Sequence, residues 1–180
     1  MEQTEKYVID LREMQADTAA YRFVLDDAFF ACVDGPEVSR GLVDAELTVR
    51  RLKDIYKLNF KLSGSIKVVC DRCLDDMDLP IDTADSLTVK LGPEVGTEGD
   101  DDTVFVDEED GTIDVAWPMY EFIALSIPIQ HVHPEGQCNA VMSAKLNELR
   151  RRSDEETDGG EDANRTIDPR WEKLKDIDNN

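Results

Sequence analysis

The sequence lacks the long apolar run that a membrane-spanning helix requires. Such a helix needs about 20 consecutive apolar residues, and no stretch of the 180-residue chain approaches that length. Residues 1–10 also lack the basic-then-apolar order of a secretory signal. We therefore expect a cytoplasmic protein that is not attached to a membrane.

Cysteine and histidine are scarce, and positive charge is in the minority. The chain has four cysteines and two histidines, and its 20 Lys and Arg stand against 41 Asp and Glu, for a formal net charge of −21. Four cysteines without a secretory signal indicate reduced thiols rather than a disulfide framework. The negative charge excludes nucleic-acid binding through bulk electrostatics, since phosphate contacts need clustered cations. It suits a basic partner instead.

The motifs of common enzyme classes are also missing. The sequence contains no glycine-rich phosphate loop and no G-x-S-x-G nucleophile motif. Its carboxylates lie in acidic runs, where a catalytic acid and base cannot be distinguished from solvated side chains. We therefore expect a protein that is not an enzyme and has no small-molecule substrate.

One alternating stretch organises the rest of the chain. Over residues 55–69, apolar side chains alternate with Lys, Asn and Ser, with a bend or bulge expected at Gly64. Since side chains on a strand point to opposite faces with a period of two, this pattern predicts one apolar and one basic face. Residues 45–52 alternate in the same way and a Lys-Asp pair follows them, which predicts a long hairpin over about residues 45–70.

The remaining elements give the fold class. Short strands are predicted at residues 7–11 and 21–26. Residues 77–82 and 86–91 predict either one broken strand or two separate strands. Residues 117–126 are apolar nearly all round and predict a buried helix, and residues 140–152 predict an amphipathic one. Because strands outnumber helices and are mostly consecutive, we predict an α+β fold built mainly on antiparallel β-sheet, with one buried helix and C-terminal helices.

The C-terminal part of the chain changes in composition. We predict a single domain over residues 1–152, followed at 153–167 by an acidic, flexible linker. Residues 168–180 predict a short helix, because an Asp-Pro pair can cap and open it. Such a helix would dock either on the chain's own domain or on a partner. Three apolar side chains line one side of it: Trp171, Leu174 and Ile177.

The cysteines and histidines suggest a metal site. Cys70 and Cys73 form a C-x-x-C pair at the end of the long strand, and Cys138 lies downstream, after His131 and His133. Three thiols and an imidazole suit tetrahedral zinc, and a site whose four positions are all filled by protein is structural. The residues leave open which histidine takes part, and whether the thiols bind metal at all. A thiol-dependent redox enzyme that uses the C-x-x-C pair is a further alternative.

The hairpin carries a cluster of positive charge. Residues 50–67 contain six cations against Asp54 alone, a net charge of +5 that leaves −26 for the rest of the chain. We predict either a surface that contacts RNA or another partner, or a solubilising strand face paired with acidic loops. The six are Arg50, Arg51, Lys53, Lys57, Lys61 and Lys67.

A further pattern combines CDRCL (70–74) after the long alternating strand, EFIALSIP (121–128), His133 and Cys138. Together these segments resemble the YceD family, a bacterial and plastid group linked to the accumulation of large-subunit ribosomal RNA. The resemblance implies a role in large-subunit assembly or ribosomal RNA accumulation, and it favours His133 over His131 as the metal ligand. Combined with the negative charge, it suggests a basic ribosomal protein or the RNA as the partner. The chain departs from the family pattern at Ile127, where Leu is usual, and at His131, where Pro is frequent. The matching positions are Cys70, Arg72, Cys73, Glu121, Pro128, His133 and Cys138, with DPRWEKLKDI near the C-terminus.

Overall fold

Seven strands and three α-helices make up the part of the chain that the structure describes. This computed structural model describes residues 5–53, 55–92 and 103–158. The strands are β1 (Val8–Asp10), β2 (Thr18–Leu25), β3 (Gly41–Leu52), β4 (Ile55–Val69), β5 (Asp76–Leu91), β6 (Thr103–Val106) and β7 (Thr112–Asp114). The helices are α1 (Asp27–Val33), α2 (Ala116–Leu125) and α3 (Ala140–Asp158). None of the helices in these ranges is long and apolar enough to cross a membrane.

The main sheet has the strand order β2-β3-β4-β5-β6, and β1 pairs with β7 in a separate two-stranded sheet. All pairs are antiparallel except β5 with β6. The α+β class and the antiparallel sheet are therefore confirmed. The predicted hairpin is also present, because β3 and β4 pair from Leu52 and Ile55 at the turn to Gly41 and Ile66 at the far end.

Two local predictions about these long strands were wrong. Gly64 causes no bulge, since β4 continues through it in unbroken register with both neighbours. A Cβ atom there would lie 2.2 Å from the Leu42 carbonyl oxygen, so the glycine permits a close approach between strands. β5 is one continuous strand over Asp76–Leu91, with no break between residues 82 and 86. Among the described residues, β6 pairs with residues 88–91 of β5, so β4 is the only described strand beside Pro80.

The hydrophobic core lies against one face of the sheet. The buried side chains of β4 are Tyr56, Leu58, Phe60, Leu62, Ile66 and Val68. α2 packs on this face, with Met119 and Ile123 buried and the Phe122 ring 5.2 Å from the Phe60 ring, centroid to centroid. α2 is the predicted apolar helix, but Trp117 and Leu125 are 53% and 76% exposed. The opposite, outward face of the sheet carries the polar side chains of β4.

The chain divides after Cys138, and α3 belongs to the second unit. The Asn139 side chain begins this helix by accepting the backbone N–H groups of Val141 and Met142 at 3.0 and 3.4 Å. α3 ends at Asp158, so it includes the first six residues of the predicted linker. The predicted docking residues Trp171, Leu174 and Ile177 lie outside the described residues.

Candidate metal centre and cationic surface

A tight turn between β4 and β5 positions the C-x-x-C pair. The Cys70 N–H donates to the Asp75 carbonyl at 2.9 Å, and the Leu74 N–H donates to the Cys70 carbonyl at 2.9 Å. These bonds fold residues 70–75 back on themselves. Cys70 and Cys73 are 0% and 3% exposed, so the turn directs both thiols into the protein.

The segment after α2 is attached to this turn by its backbone. The Asp71 N–H donates to the His131 carbonyl at 3.0 Å, and the His131 N–H donates to Asp71 Oδ2 at 2.7 Å. The His131 ring points elsewhere, with Nδ1 3.2 Å from the Pro128 carbonyl oxygen. His131 therefore aligns the two segments and lies outside the cluster of thiols.

The turn and the segment together bring four potential ligands to one point. Cys73 Sγ lies 3.3 Å from His133 Nδ1, and Cys70 Sγ lies 4.0 Å from Cys138 Sγ. The ligand atoms of all four residues lie within 4.8 Å of one another. We call this set the Cys₃His cluster. Its members are the four residues predicted from the sequence, and the fourth cysteine, Cys32, is exposed on α1.

The geometry of the Cys₃His cluster fits a structural zinc ion. Tetrahedral zinc with Zn–S bonds of about 2.3 Å separates neighbouring sulfur atoms by about 3.8 Å, close to the 4.0 Å between Cys70 and Cys138. Three thiolates and one imidazole would complete the four-coordinate shell. Such a shell has no open position for a water or a substrate.

Backbone donors prepare Cys70 for a metal. Burial raises the pKa of the Cys70 thiol, but the backbone N–H groups of Cys73, His133 and Arg72 donate to its sulfur and lower the pKa to about 6. Two of these groups, those of Arg72 and His133, lie 3.4 Å from Sγ. These donors therefore favour the thiolate form of Cys70, which is the form that ligates a metal.

Two other members of the cluster, His133 and Cys138, have raised pKa values. The hydrogen bond to Cys70 raises the pKa of His133, and burial opposes it to a smaller extent. Burial raises the pKa of Cys138, and its hydrogen bonds to Cys73 and Cys70 add to the effect. A metal ion that enters the cluster must displace such protons, so binding would release protons to solvent.

Leu74 closes the turn in a backbone conformation that suits glycine better. Its φ is 63°, in the left-handed region, and its side chain is 66% exposed. We expect Leu74→Gly to raise the free energy of unfolding by about 0.5–1 kcal/mol, because relief of left-handed strain exceeds the added chain entropy. Chemical denaturation measures the change. Val69→Gly, in a regular strand, is the control and should lower the free energy of unfolding. An equal loss of unfolding free energy in both variants would contradict left-handed strain at Leu74.

The six cations of the predicted hairpin do not form one surface. Arg51 lies on the opposite face from Arg50, with its guanidinium 5.9 Å from the centroid of the Tyr56 ring. Lys67 lies at the far end of β4, where Nζ forms an ion pair with Asp78 Oδ1 at 2.7 Å. Lys53 lies in the hairpin turn. Lys61 stands opposite Glu46, whose carboxylate pairs with an arginine of β2 at 3.0 Å.

Three cations stand on neighbouring strands where the outward face reaches the hairpin turn. Arg50 stands directly opposite Lys57, and Lys90 on β5 is diagonal to Lys57, since Lys57 pairs with Thr88. Within the described residues, none of the three forms an ion pair. We call Arg50, Lys57 and Lys90 the cationic end. Like charges directly opposite each other destabilise a sheet, so the fold itself gains nothing from this pair.

Sequence reasoning missed Lys90, which lies outside the hairpin. Its alternating strand was recognised, but only the register of β5 against β4 places Lys90 beside Lys57. The register also surrounds the cationic end with small polar side chains on the same face. These are Thr48, Asn59, Ser86 and Thr88.

The fold and the cluster place the protein in a structural class. It is an α+β protein in which the β4–β5 turn and the segment after α2 together form a Cys₃His cluster that could hold a metal ion. The family model described as large ribosomal RNA subunit accumulation protein YceD matches residues 58–178. The chain belongs to this family. Comparison with curated proteins and with solved structures gave no significant match. The matched region contains the Cys₃His cluster and Lys90, whereas Arg50 and Lys57 precede it.

The family description gives the functional context. Its name implies a role in the accumulation of large-subunit ribosomal RNA, and it names no catalytic activity. The description also names no binding partner. The charge and the side chains of the protein surface indicate the class of partner instead.

Proposed function

We propose that the chain is a non-enzymatic factor in the accumulation of large-subunit ribosomal RNA and contacts that RNA through the cationic end. The observation that carries this proposal is the clustering of Arg50, Lys57 and Lys90 without ion pairs among the described residues of a chain with net charge −21. Their mutual repulsion costs stability. RNA phosphates would offset that cost on binding and would release counterions.

The surrounding side chains support contact with an RNA backbone. Arginine can bind a phosphate through two parallel N–H donors, and lysine acts as a compact point charge. The hydroxyls of Thr48 and Ser86 and the amide of Asn59 can donate to further phosphate or sugar oxygens. Contacts of this type position an RNA without reading its sequence, so we expect recognition of backbone rather than of bases.

Zinc has a structural part in this proposal. An ion held by the three thiolates and His133 would join the β4–β5 turn to residues 129–138. With all four positions filled by protein, it would neither activate water nor bind substrate. Ribosomal RNA would be contacted elsewhere, at the other end of β4.

A basic ribosomal protein is the second partner that we propose. The charge of −26 outside residues 50–67 favours it, because a strongly acidic protein attracts cationic partners over distance. Such binding and the RNA contact are compatible, since they require surfaces of opposite charge.

Affinity capture from a cell lysate tests both partners, with and without ribonuclease. We expect large-subunit ribosomal RNA in the untreated sample, and basic ribosomal proteins that remain bound after the RNA is digested. A sample that contains no ribosomal RNA would overturn the RNA contact, and the loss of every ribosomal protein on digestion would overturn the direct protein contact. An unrelated bait protein of similar net charge is the control for non-specific capture.

Alkylation kinetics test the alternative of a thiol enzyme. A reactive nucleophile combines a low pKa with access to solvent, and Cys70 and Cys73 are almost completely buried. We expect both to label more slowly at neutral pH than exposed Cys32, as followed by mass spectrometry of the digested protein. Faster labelling of Cys70 than of Cys32 would support the enzyme and contradict a closed structural site.

A further inference from the structure

The N-terminal end of α2 presents a tryptophan to solvent. Trp117 is 53% exposed, whereas Ala116 before it and Met119 after it are 5% and 0% exposed. Its ring is held in place against Tyr120, with the ring centroids 5.6 Å apart. The ring therefore packs against an aromatic neighbour while about half of its surface is exposed, an arrangement that the hydrophobic core does not require.

Trp117 borders a small aromatic cleft between α1 and α2. The cleft has a volume of about 120 Å³ and is lined by Tyr7, Phe29, Cys32 and Val33 as well as by Trp117. This volume is well below the roughly 300 Å³ of an ordinary small-molecule site, but it can accept the stem of one side chain. Asp114 is the only charged residue in the lining that the described residues supply.

Two carboxylates flank the exposed ring. Asp114 precedes Trp117 by three residues, and Glu121 follows it by four, which places Glu121 on the same side of α2. Both side chains are exposed. Asp114 Oδ1 accepts the Ala116 N–H at 2.8 Å. The cleft therefore combines aromatic faces with negative charge.

We propose that this cleft is a docking site for a lysine or arginine side chain of a basic protein. The inference deepens the second partner proposed above by naming its surface. A cation within about 6 Å of a ring centroid is attracted by the ring, most strongly by tryptophan. The aliphatic stem of Lys or Arg covers apolar surface while its charged head reaches a carboxylate. The chain's own Lys6 makes a cation–ring contact with one of the lining residues, with Nζ 5.5 Å from the centroid of the Tyr7 ring.

Tryptophan fluorescence tests the site in the full-length chain. The sequence has two tryptophans, so Trp171→Phe leaves Trp117 as the single reporter. The probe is a short Gly-Ser peptide that carries three Arg and three Lys, added at about physiological salt. We expect a saturable change in Trp117 emission, and no change with the same peptide carrying Glu at the six positions. Absence of a response, as when the ring is covered by another part of the chain or by a second copy, would overturn the site.

A pair of matched double variants separates the site from general charge. Asp114→Asn with Glu121→Gln should weaken peptide binding about 3- to 10-fold, as expected for two exposed ion pairs beside a ring. The asparagine keeps the oxygen that accepts the Ala116 N–H. Asp44→Asn with Asp82→Asn removes the same charge from the outward sheet face and should change the affinity less than 2-fold. Equal effects of the two pairs would overturn the site.

The same variants distinguish this inference from the proposals on which it rests. RNA binding should be the same in both pairs, because the cationic end is intact in each. If basic proteins are still captured after ribonuclease while the Asp114/Glu121 pair has no effect, the site is overturned and the protein partner stands. If they are lost on digestion, the partner itself is overturned.

Discussion

Replacing Cys138 with serine is expected to lower the metal content of the purified protein from about one zinc per chain to nearly none. Cys138 is one of the four potential ligands that lie together among the described residues, and a hydroxyl is a far weaker zinc ligand than a thiolate. Because structural metal binding is coupled to folding, the variant should also lose several kcal/mol of unfolding free energy. Elemental analysis measures the first effect and thermal unfolding the second.

Cys32→Ser is the matched control for this experiment. Cys32 is exposed and lies outside the Cys₃His cluster, so its replacement should leave both the zinc content and the unfolding temperature unchanged. A wild-type protein that is metal-free and fully folded would remove the zinc proposal. Full metal content in the Cys138→Ser variant would show that the ion is held by other residues.

Neutralising the cationic end is expected to weaken binding to a large-subunit ribosomal RNA fragment on the order of 10-fold at 0.1 M salt. The variant is Arg50→Gln with Lys57→Gln. Each lost phosphate contact also reduces the slope of log affinity against log salt by about 1, so the slope should fall by about 2. Filter binding over a range of salt concentrations measures both quantities.

The same variant is expected to keep or gain stability although it loses affinity for RNA. Since it removes a pair of like charges that stand directly opposite each other, its unfolding free energy should be equal or a few tenths of a kcal/mol higher. Arg40→Gln with Lys67→Gln is the control, with the same change in charge on two cations that already have carboxylate partners. Equal loss of RNA binding in both variants would indicate bulk charge and would contradict a localised contact.

The hairpin and the members of the Cys₃His cluster were accessible from the sequence because each has a short-range signal. Strict alternation over residues 55–69 reports directly which side chains share a face, and the result is the buried and exposed pattern of β4. The C-x-x-C pair and the later His133 and Cys138 carry the ligand types of zinc. Their proximity, however, depends on the backbone bonds between Asp71 and His131, which no local pattern encodes.

The features that sequence reasoning missed depend on neighbours that are distant in the chain. Lys90 joins the cationic end only through the register of β5. The sequence predicted a bend or bulge at Gly64, whereas the glycine permits the close approach of the Leu42 carbonyl on the adjacent strand. Trp117 belongs to an apolar run that predicted burial on all sides, but composition does not indicate which side of a helix the sheet covers.

The contact between Cys70 and Cys138 also has a meaning for the unfolded chain. The two residues are 68 positions apart, so a metal bound by both is a crosslink that closes a long loop. By the chain-entropy relation for disulfides, closing a loop of this length lowers the conformational entropy of the unfolded ensemble and so stabilises the folded state by about 4 kcal/mol. The metal-bound cluster would thus crosslink the chain as a disulfide does. The crosslink would need no oxidant, would be reversible, and would last only while metal is supplied.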